Sequence, residues 1–251
     1  MLAASAANEN TGKPQQSGST GVRMQSADYL MMSLPNHLVA MVAPLWQGAT
    51  VTLKLFFITL ALAVPLGLVL ALARLSRWPA LGLLVNGYIW LMRGTPLMLQ
   101  MLFIYFALPF VPVIGVRLPD FPAAVLAFAL NYAAYFAEIF RAGIQSIDKG
   151  QYEAARVLGM TYGQTMRRIV LPQMVRRILP PMSNETITLV KDTSLIYVLA
   201  LNDLLRAARG IVQRDFTTTP FIVAAAFYLT MTLVLTWGFQ SLEKRYARHD
   251  A

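Results

Sequence analysis

Four groups of polar residues interrupt otherwise apolar stretches of this sequence, and their chemical types could bind a polar ligand. They are Arg93, Gly94, Thr95 and Pro96; Gln100; Asn131, Tyr135 and Glu138; and Lys191, Asp192, Thr193 and Ser194. Polar and charged side chains are costly in an apolar environment, where they usually face a cavity or a partner. Gly and Pro disfavour a continuous helix, so the first group predicts a broken helix whose backbone groups can bind the ends of a ligand. The third group has i, i+4, i+7 spacing, which predicts one helical face.

A purely structural interpretation of the charged members stays open. Glu138 could pair with Arg141, three residues later on the same helix. Lys191 could pair with Asp192 or with a neighbouring helix. In that case these charges would serve packing and not ligand binding.

The composition places the chain in a membrane. Of its 251 residues, 57% are apolar and 13% are charged, which is typical of an integral membrane protein. The chain has no cysteine, so disulfides and thiolate chemistry are excluded. The net charge of +9 could indicate nucleic-acid binding, but the basic residues flank apolar runs, as they do in cytoplasmic loops. We therefore predict contact with membrane lipid and no nucleic-acid partner.

The sequence carries no pattern typical of an enzyme. It has no glycine-rich phosphate-binding loop ending in Gly-Lys-Ser or Gly-Lys-Thr. Its two histidines, His37 and His249, lie far apart in sequence, which argues against a metal site. We predict no catalytic residues, no metal and no cofactor on this chain.

Five apolar stretches are candidates for membrane-spanning helices. They are Leu55 to Ala73, Leu81 to Val116, Ala123 to Ile144, Ile178 to Leu205 and Pro220 to Phe239. A helix needs about 20 apolar residues to cross a bilayer, so the second stretch is too long for one untilted span, and it is broken in its middle. The predicted fold class is an all-α integral membrane protein with five transmembrane helices.

The fourth stretch is counted as a span because of charge and not because of hydropathy. The segments "SNET" and "KDTS" interrupt it, whereas the loop before it and the C-terminal tail are both rich in Lys and Arg. Both basic segments should be cytoplasmic, so an even number of spans must separate them. This reasoning predicts that the N-terminus is outside and the C-terminus inside. This topology places Arg206, Arg209 and Arg214 on the extracytoplasmic side. Basic residues there weaken the topology prediction without reversing it.

The basic loop itself has the pattern of two short helices. The first helix is predicted over Gln151 to Leu158. Gly159 follows it, at the position where a helix often ends in a left-handed residue. Tyr162 to Val170 predicts a second, amphipathic helix that Pro172 should end. The alternative is an ordinary basic loop that only fixes the topology.

The segment "EAARVLGMTYGQTMRRIVLP" closely resembles the EAA motif of the permeases of importer-type ABC transporters. The matching residues are Glu153, Ala154, Ala155, Gly159, Ile169, Leu171 and Pro172. The resemblance implies that this segment is a cytoplasmic coupling helix, which docks in a groove of a cytoplasmic ABC ATPase. It also implies that ATP is bound by that partner and not by this chain.

Three further segments resemble the polar amino acid uptake subfamily of these permeases, the histidine and glutamine type. They are "RGTPLMLQMLFIYFALP", "AAYFAEIFRAGIQSIDKGQYEAA" and "LVKDTSL". The resemblance implies five spans in a bacterial cytoplasmic (inner) membrane, and a homodimer or a pair with a similar permease. It also implies an ATPase dimer and an extracytoplasmic amino-acid-binding protein. In similar proteins the segments around Arg93 to Gln100 and Lys191 to Ser194 line the translocation pathway.

A free amino acid carries an ammonium and a carboxylate, and the polar groups could bind both. Asp192 and Glu138 suit the ammonium or a basic side chain, whereas backbone donors near Gly94 and Thr95, or a cation, suit the carboxylate. The residues leave open whether the amino acid is basic, glutamine, glutamate or another polar one.

The resemblance also sets the predicted domain organisation and function. Residues 1–44 are expected to be a disordered or extracytoplasmic tail, 45–246 a type-1 ABC transmembrane domain, and 247–251 a short cytoplasmic tail. The expected function is the permease subunit of an ATP-driven importer for a polar L-amino acid. The alternative is a passive channel or a membrane anchor that binds a cytoplasmic partner through its basic loop.

Overall fold

A computed structural model of the protein describes residues 18–112 and 115–247, and the regular elements within these ranges are all helical. The α-helices are α1 (Gly18–Arg74), α2 (Pro79–Gly94), α3 (Leu97–Leu102), α4 (Asp120–Gln145), α5 (Lys149–Val157), α6 (Tyr162–Thr165), α7 (Leu171–Asp192), α8 (Leu204–Asp215) and α9 (Thr219–Ala247). Two π-helical turns cover Phe103–Ala107 and Met166–Val170, and two 3₁₀ turns cover Leu108–Phe110 and Thr193–Leu199. The described residues from 44 onward form one compact unit.

Three helical stretches in the described residues are long and apolar enough to cross a membrane. They are Val39–Arg74, Asp120–Gln145 and Thr219–Tyr246. A fourth span is possible if α2 and the stretch Leu97–Phe110, which meet at 105°, cross together. The predicted fourth crossing is not a single α-helix, because α7 ends at Asp192 and a 3₁₀ turn follows. The count of five and the sides of the two termini therefore stay predictions.

The break predicted inside the second apolar stretch is confirmed. Helix α2 ends at Gly94, and Thr95 is extended, with φ −121° and ψ 148°. Pro96 then precedes the first residue of α3. The ring of Pro96 disfavours the helical conformation at the residue before it, in agreement with the extended backbone of Thr95.

The prediction that Pro172 ends a helix is wrong. The residues before it do form a short helix, α6, and then the π turn, but α7 starts at Leu171 and continues through Pro172. Proline is tolerated in the first turn of a helix, because the N–H that it lacks has no helical partner there. Helix α6, the π turn and α7 therefore follow one another without an intervening loop.

Part of the tail that was predicted to be disordered or extracytoplasmic is helical, and the domain bounds stay predictions. Helix α1 begins at Gly18, so residues 18–44 are helical. Once a helix is nucleated, each added residue gains one hydrogen bond, and an apolar span can therefore extend into its flanking sequence. Residues 1–17 of the predicted tail, and 248–251 of the predicted C-terminal tail, lie outside the described residues.

Helix α4 lies at the centre of the bundle and positions the candidate site. It packs against α2, α3 and α7, and α7 in turn packs against α9. Its large side chains Phe128, Tyr132 and Phe136 are fully buried. At Gly67 of α1, an added Cβ would lie 2.7 Å from the Cβ of Phe136, so α1 and α4 approach closely through a small residue. Helix α9 is peripheral, with only 6% of its most apolar segment buried.

Candidate functional site

A cleft of about 640 Å³ lies at the bend between α2 and α3, against α4 and α7. Its polar lining comprises Arg93 and Thr95 from the bend, Asn131, Tyr132 and Tyr135 from α4, and Glu185, Thr188 and Asp192 from α7. The lining thus carries one cation, Arg93, and two carboxylates. The cleft therefore brings the bend, Asn131 and Tyr135 of α4, and Asp192 together, and their role in a substrate pathway stays a prediction.

Three of the predicted pathway residues hold the bend together. The Gln100 amide Nε2 donates to the carbonyl of Met92 (2.9 Å) and to the hydroxyl of Thr95 (2.6 Å). The Asn131 amide Nδ2 donates to the same Met92 carbonyl (2.9 Å) and to Gln100 Oε1 (2.9 Å). Thr95 Oγ1 donates to the carbonyl of Leu91 (2.8 Å).

These bonds replace the helical partners that the break removes. The last carbonyls of a helix have no intrahelical donor, and here side chains supply one to Leu91 and to Met92. We call Thr95, Gln100 and Asn131 the bend clamp. Their polar groups are engaged inside the protein, and a direct role toward a ligand stays a prediction.

The carboxylate wall of the cleft is anchored from α4. The buried Tyr132 donates its hydroxyl to Asp192 Oδ2 at 2.8 Å. Glu185 lies seven residues before Asp192, on the same face of α7, and also lines a neighbouring cleft of about 370 Å³. On the other side, the Arg93 guanidinium lies 5.2 Å from the ring centroid of Tyr135, within cation–π range.

Tyr132 and Glu185 line the cleft but were not among the residues predicted from the sequence. A signal for Glu185 existed, because its i, i+7 relation to Asp192 places both on one helical face. No comparable signal existed for Tyr132, whose partner is 60 residues away.

Glu138 is engaged in ion pairs. Its carboxylate pairs with the guanidinium groups of Arg74 and Arg141, and Arg141 Nε lies 3.2 Å from Glu138 Oε2. The pairing with Arg141 is the structural alternative that the spacing left open. Glu138, Arg74 and Arg93 also line a cleft of about 550 Å³ that adjoins the first.

The remaining residues of the "KDTS" group are not among the described lining residues of the three clefts above. Lys191 is exposed. Thr193 is buried and donates its hydroxyl to the carbonyl of Val190 (2.7 Å), and Ser194 donates to the carbonyl of Lys191 (2.8 Å). Both hydroxyls thus serve the transition from α7 to the 3₁₀ turn.

Residues 149–170, which we call the finger, form the predicted helix–glycine–helix element. Asp148 caps α5 by accepting from the backbone N–H of Gly150 (2.6 Å). At the other end Gly159 has φ +71°, which confirms the predicted left-handed residue. The N–H groups of Gly159 and Met160 donate to the carbonyls of Arg156 and Ala155, both at 3.0 Å, as in a Schellman motif.

A second cap fixes the direction in which the chain leaves this turn. Thr161 and Gln164 form a capping box at the start of α6, in which each side chain accepts from the other residue's backbone N–H. Because both ends of the turn are capped, the orientation of α6 relative to α5 is set by the backbone from Gly159 to Thr161.

The finger exposes a different surface from the one the motif alone predicts. Glu153 and Ala154 are exposed, but Ala155 is fully buried within this chain. The apolar side chains of Val157 and Leu158 are instead 87% and 76% exposed. These two adjacent apolar side chains are further candidate contacts for a partner, and the motif does not include them.

The last three motif residues lie at the junction with α7. Ile169 is half-buried, whereas Leu171 and Pro172 are exposed. Gln173 Nε2 donates to Gln151 Oε1 at 3.3 Å, which links α7 to α5. The 22 residues of α7 span about 33 Å and connect the finger to the carboxylates of the cleft.

Within the described residues, no group of three or more His, Cys, Asp or Glu side chains could hold a metal ion.

Comparison with known proteins provides a family for this architecture. Residues 63–248 match the model of the family described as "Binding-protein-dependent transport system inner membrane component". The arginine transport system permease protein ArtQ of Bacillus subtilis (strain 168) is 38% identical over 206 residues, which cover 81% of this chain and 93% of that protein. The putative glutamine transport system permease protein GlnP of Rickettsia typhi is 36% identical over 200 residues, covering 79% and 91% of the two chains.

Solved structures share the fold. A crystal structure of an amino acid ABC transporter with histidines has a TM-score of 0.76 and 39% identity, and it covers 83% of this chain and 97% of that one. An inward-facing structure of the MetNI methionine ABC transporter has a TM-score of 0.66 at 16% identity and covers 82% and 98% of the two chains. At that identity the second likeness concerns the fold alone.

Proposed function

Because the chain belongs to the family of binding-protein-dependent transport system inner membrane components, we propose that it forms the membrane pathway of an ATP-driven importer for a polar L-amino acid. It is a permease subunit and not an enzyme, since ATP hydrolysis takes place on a separate subunit. Membership implies an ATPase, a substrate-binding protein and a second permease as partners. Relatives named as permeases for arginine and for glutamine support an amino acid as the substrate.

The distribution of charge in the cleft is the observation that carries the proposed substrate class. Arg93 lies on one wall, and Glu185 and Asp192 lie on the other. A free amino acid presents a carboxylate to the first wall and an ammonium to the second. A cleft of about 640 Å³ is in the range of small-molecule sites. Two carboxylates also leave room for a second cation, on a basic side chain.

The bend clamp has a supporting role in this proposal. Thr95, Gln100 and Asn131 bond to one another or to the end of α2, so they fix the position of Arg93 at the cleft. A fixed bend keeps the cation at a constant distance from the carboxylate wall. Preorganisation of this kind lowers the cost of binding a small zwitterion.

Coupling to the ATPase follows from the continuity between the finger and α7. In the proposed cycle, ATP binding draws the two ATPase subunits together and moves the finger of each permease. Because α7 follows the finger without a loop, this movement reaches Glu185 and Asp192 and biases the cleft between its two accessible states. Direction then arises from the coupling between nucleotide and cleft, and not from chemistry on this chain.

We further propose that the chain lies as a multi-pass protein in a bacterial cytoplasmic membrane and binds a cytoplasmic ATPase dimer. A second permease, identical or similar, completes the proposed pathway. On the opposite side an extracytoplasmic amino-acid-binding protein delivers the substrate. The finger supports a cytoplasmic protein partner because it is capped, rigid and apolar at its tip.

Purification from native membranes tests the proposal against the passive channel or anchor. The wild-type chain is expected to retain an ATPase, and a variant with Glu153, Ala154 and Leu158 changed to Lys, Asp and Asp is expected to lose it. The matched control is Lys149→Glu, an exposed charge change at the start of α5 that leaves both caps of the turn intact. An amino acid flux in liposomes that needs no ATPase would support the channel instead.

A further inference from the structure

Helix α8 carries a basic face that neither the cleft nor the finger uses. Its buried side comprises Leu204, Ala207, Ala208 and Ile211. The opposite side borders a groove of about 500 Å³, whose polar lining is Tyr197, Asn202, Arg206, Arg209, Gln213 and Arg214. We call these six residues the α8 basic groove. All six are exposed, and within this set no acidic residue is present.

The positive charge of the groove is only partly neutralised. Arg214 donates from Nε and Nη2 to the carboxylate of Asp215, at 2.6 and 2.9 Å. Arg206 Nη1 donates to the carbonyl of Tyr197 at 3.3 Å and forms no ion pair with a described carboxylate. Arg209 has no hydrogen bond or ion pair with the described residues. Two of the three guanidinium groups are therefore available to an anionic partner.

The helix that presents these groups is held rigidly. Asp203 caps α8 by accepting from the N–H groups of Leu205 (3.0 Å) and Arg206 (3.2 Å). The N–H of Leu204 donates to Thr52 Oγ1 of α1 at 3.3 Å. At Gly48, an added Cβ would lie 2.8 Å from the carbonyl oxygen of Asp203, so the start of α8 is pressed against α1. A rigid surface loses little entropy when it binds.

An exposed aromatic residue adjoins the basic face. Phe216 is 94% exposed, and its φ of +51° closes α8 with a bond from its N–H to the carbonyl of Val212 (2.9 Å). Glycine is the usual residue at such a position, and a non-glycine residue costs about 1 kcal/mol or more there. Exposed aromatic and arginine side chains together are typical of protein–protein interfaces.

The position of α8 along the chain indicates the side of the membrane that it faces. Helix α7 leads away from the finger and reaches α8 through the 3₁₀ turn Thr193–Leu199. If the finger is cytoplasmic, α8 is extracytoplasmic, where arginine is usually scarce. A helix that lies on lipid inserts its apolar face into the membrane, but the apolar face of α8 is packed inside the protein. These observations favour a protein partner over a lipid.

We propose that the α8 basic groove docks an acidic surface of the extracytoplasmic binding protein, with Arg206 and Arg209 pairing with its carboxylates and Phe216 as an apolar contact. The inference rests on the proposed function, because only an importer of this family requires such a partner. It goes further by naming the surface of this chain that binds and the charge of the surface that is bound.

The test uses the complex of this chain with its ATPase in nanodiscs, and the substrate-loaded binding protein that stimulates its ATP hydrolysis. For Arg206→Glu with Arg209→Glu, the half-saturating concentration of binding protein should rise about tenfold at about 50 mM salt. The increase should shrink at about 500 mM salt, because the Debye length falls. Hydrolysis without binding protein should equal that of the wild type. Phe216→Ser should raise the half-saturating concentration with little salt dependence.

Arg117→Glu is the matched control, since Arg117 is an exposed arginine just before α4 and lies outside the groove. It should leave the half-saturating concentration unchanged. A wild-type value for both groove variants would overturn the inference and leave the proposed function intact. The inference would also be overturned if the groove variants changed ATP hydrolysis without binding protein and only in nanodiscs with phosphatidylglycerol. The groove would then bind lipid. If no binding protein stimulates even the wild-type complex, the proposed function fails and the inference with it.

Discussion

The finger's turn at Gly159 offers a perturbation whose size follows from the structure. Its φ of +71° lies in the left-handed region, and a Cβ added there would meet no atom within 4 Å. Gly159→Val therefore introduces no clash, and its cost is that of the backbone conformation alone. For a non-glycine residue this cost is about 1–2 kcal/mol, and a β-branched side chain lies at the upper end.

A cost of this size acts on the finger and not on the whole bundle. A change of 1–2 kcal/mol alters the ratio of two conformations by about 5- to 30-fold. The Schellman bonds from Gly159 and Met160 are the interactions at risk, so α6 should lose its fixed direction relative to α5. We expect normal membrane insertion, together with weakened binding of the ATPase and loss of ATP-driven uptake.

The assay compares Gly159→Val with Gly163→Ala in the same finger. Gly163 also has open space around a new Cβ but lies within α6, where alanine favours the helix by up to about 1 kcal/mol. The control should therefore bind the ATPase as the wild type does. Gly159→Asn should be intermediate, since Asn tolerates a positive φ. Full uptake and a normal ATPase complex for Gly159→Val would refute the coupling role of the finger.

Four further substitutions have defined outcomes. Asp192→Asn should preserve assembly but weaken uptake or shift its amino acid preference, and wild-type uptake of every amino acid tested would make Asp192 structural. Gln100→Leu should remove the bonds of Gln100 to Met92, Thr95 and Asn131 and lower the free energy of unfolding by about 1–3 kcal/mol, measured by denaturation in detergent; unchanged stability would contradict the clamp. Ala155→Trp should lower thermal stability because Ala155 is buried, whereas Leu158→Ser should reduce only ATPase retention; the reverse pattern would show that Ala155 faces the partner.

Local chemistry made several elements predictable from the sequence. The bend at Arg93 to Pro96 follows from Gly and Pro, whose backbone restrictions act within a few residues. The left-handed Gly159 follows from its place after a run of good helix formers. The pairing of Glu138 with Arg141 follows from i, i+3 spacing. Each of these features is encoded by neighbours along the chain.

Features that depend on tertiary packing were not predictable in the same way. Arg74 joins Glu138 across 64 residues, and Tyr132 reaches Asp192 across 60. The burial of Ala155 depends on what packs beneath α5, so the motif could not tell which of its small residues faces outward. The positions of the two basic segments predicted that residues Ile178 to Leu205 cross the membrane. Only the structure shows that α7 ends at Asp192.

Accumulation of an amino acid against its gradient tests the central claim most directly. Proteoliposomes would contain this chain, its ATPase and its binding protein, with radiolabelled arginine, glutamine and histidine supplied on the binding-protein side. The account predicts accumulation of at least one of them that requires ATP on the finger side and is lost in Glu185→Gln with Asp192→Asn. Equilibration without ATP, or accumulation unaffected by that double variant, would contradict it.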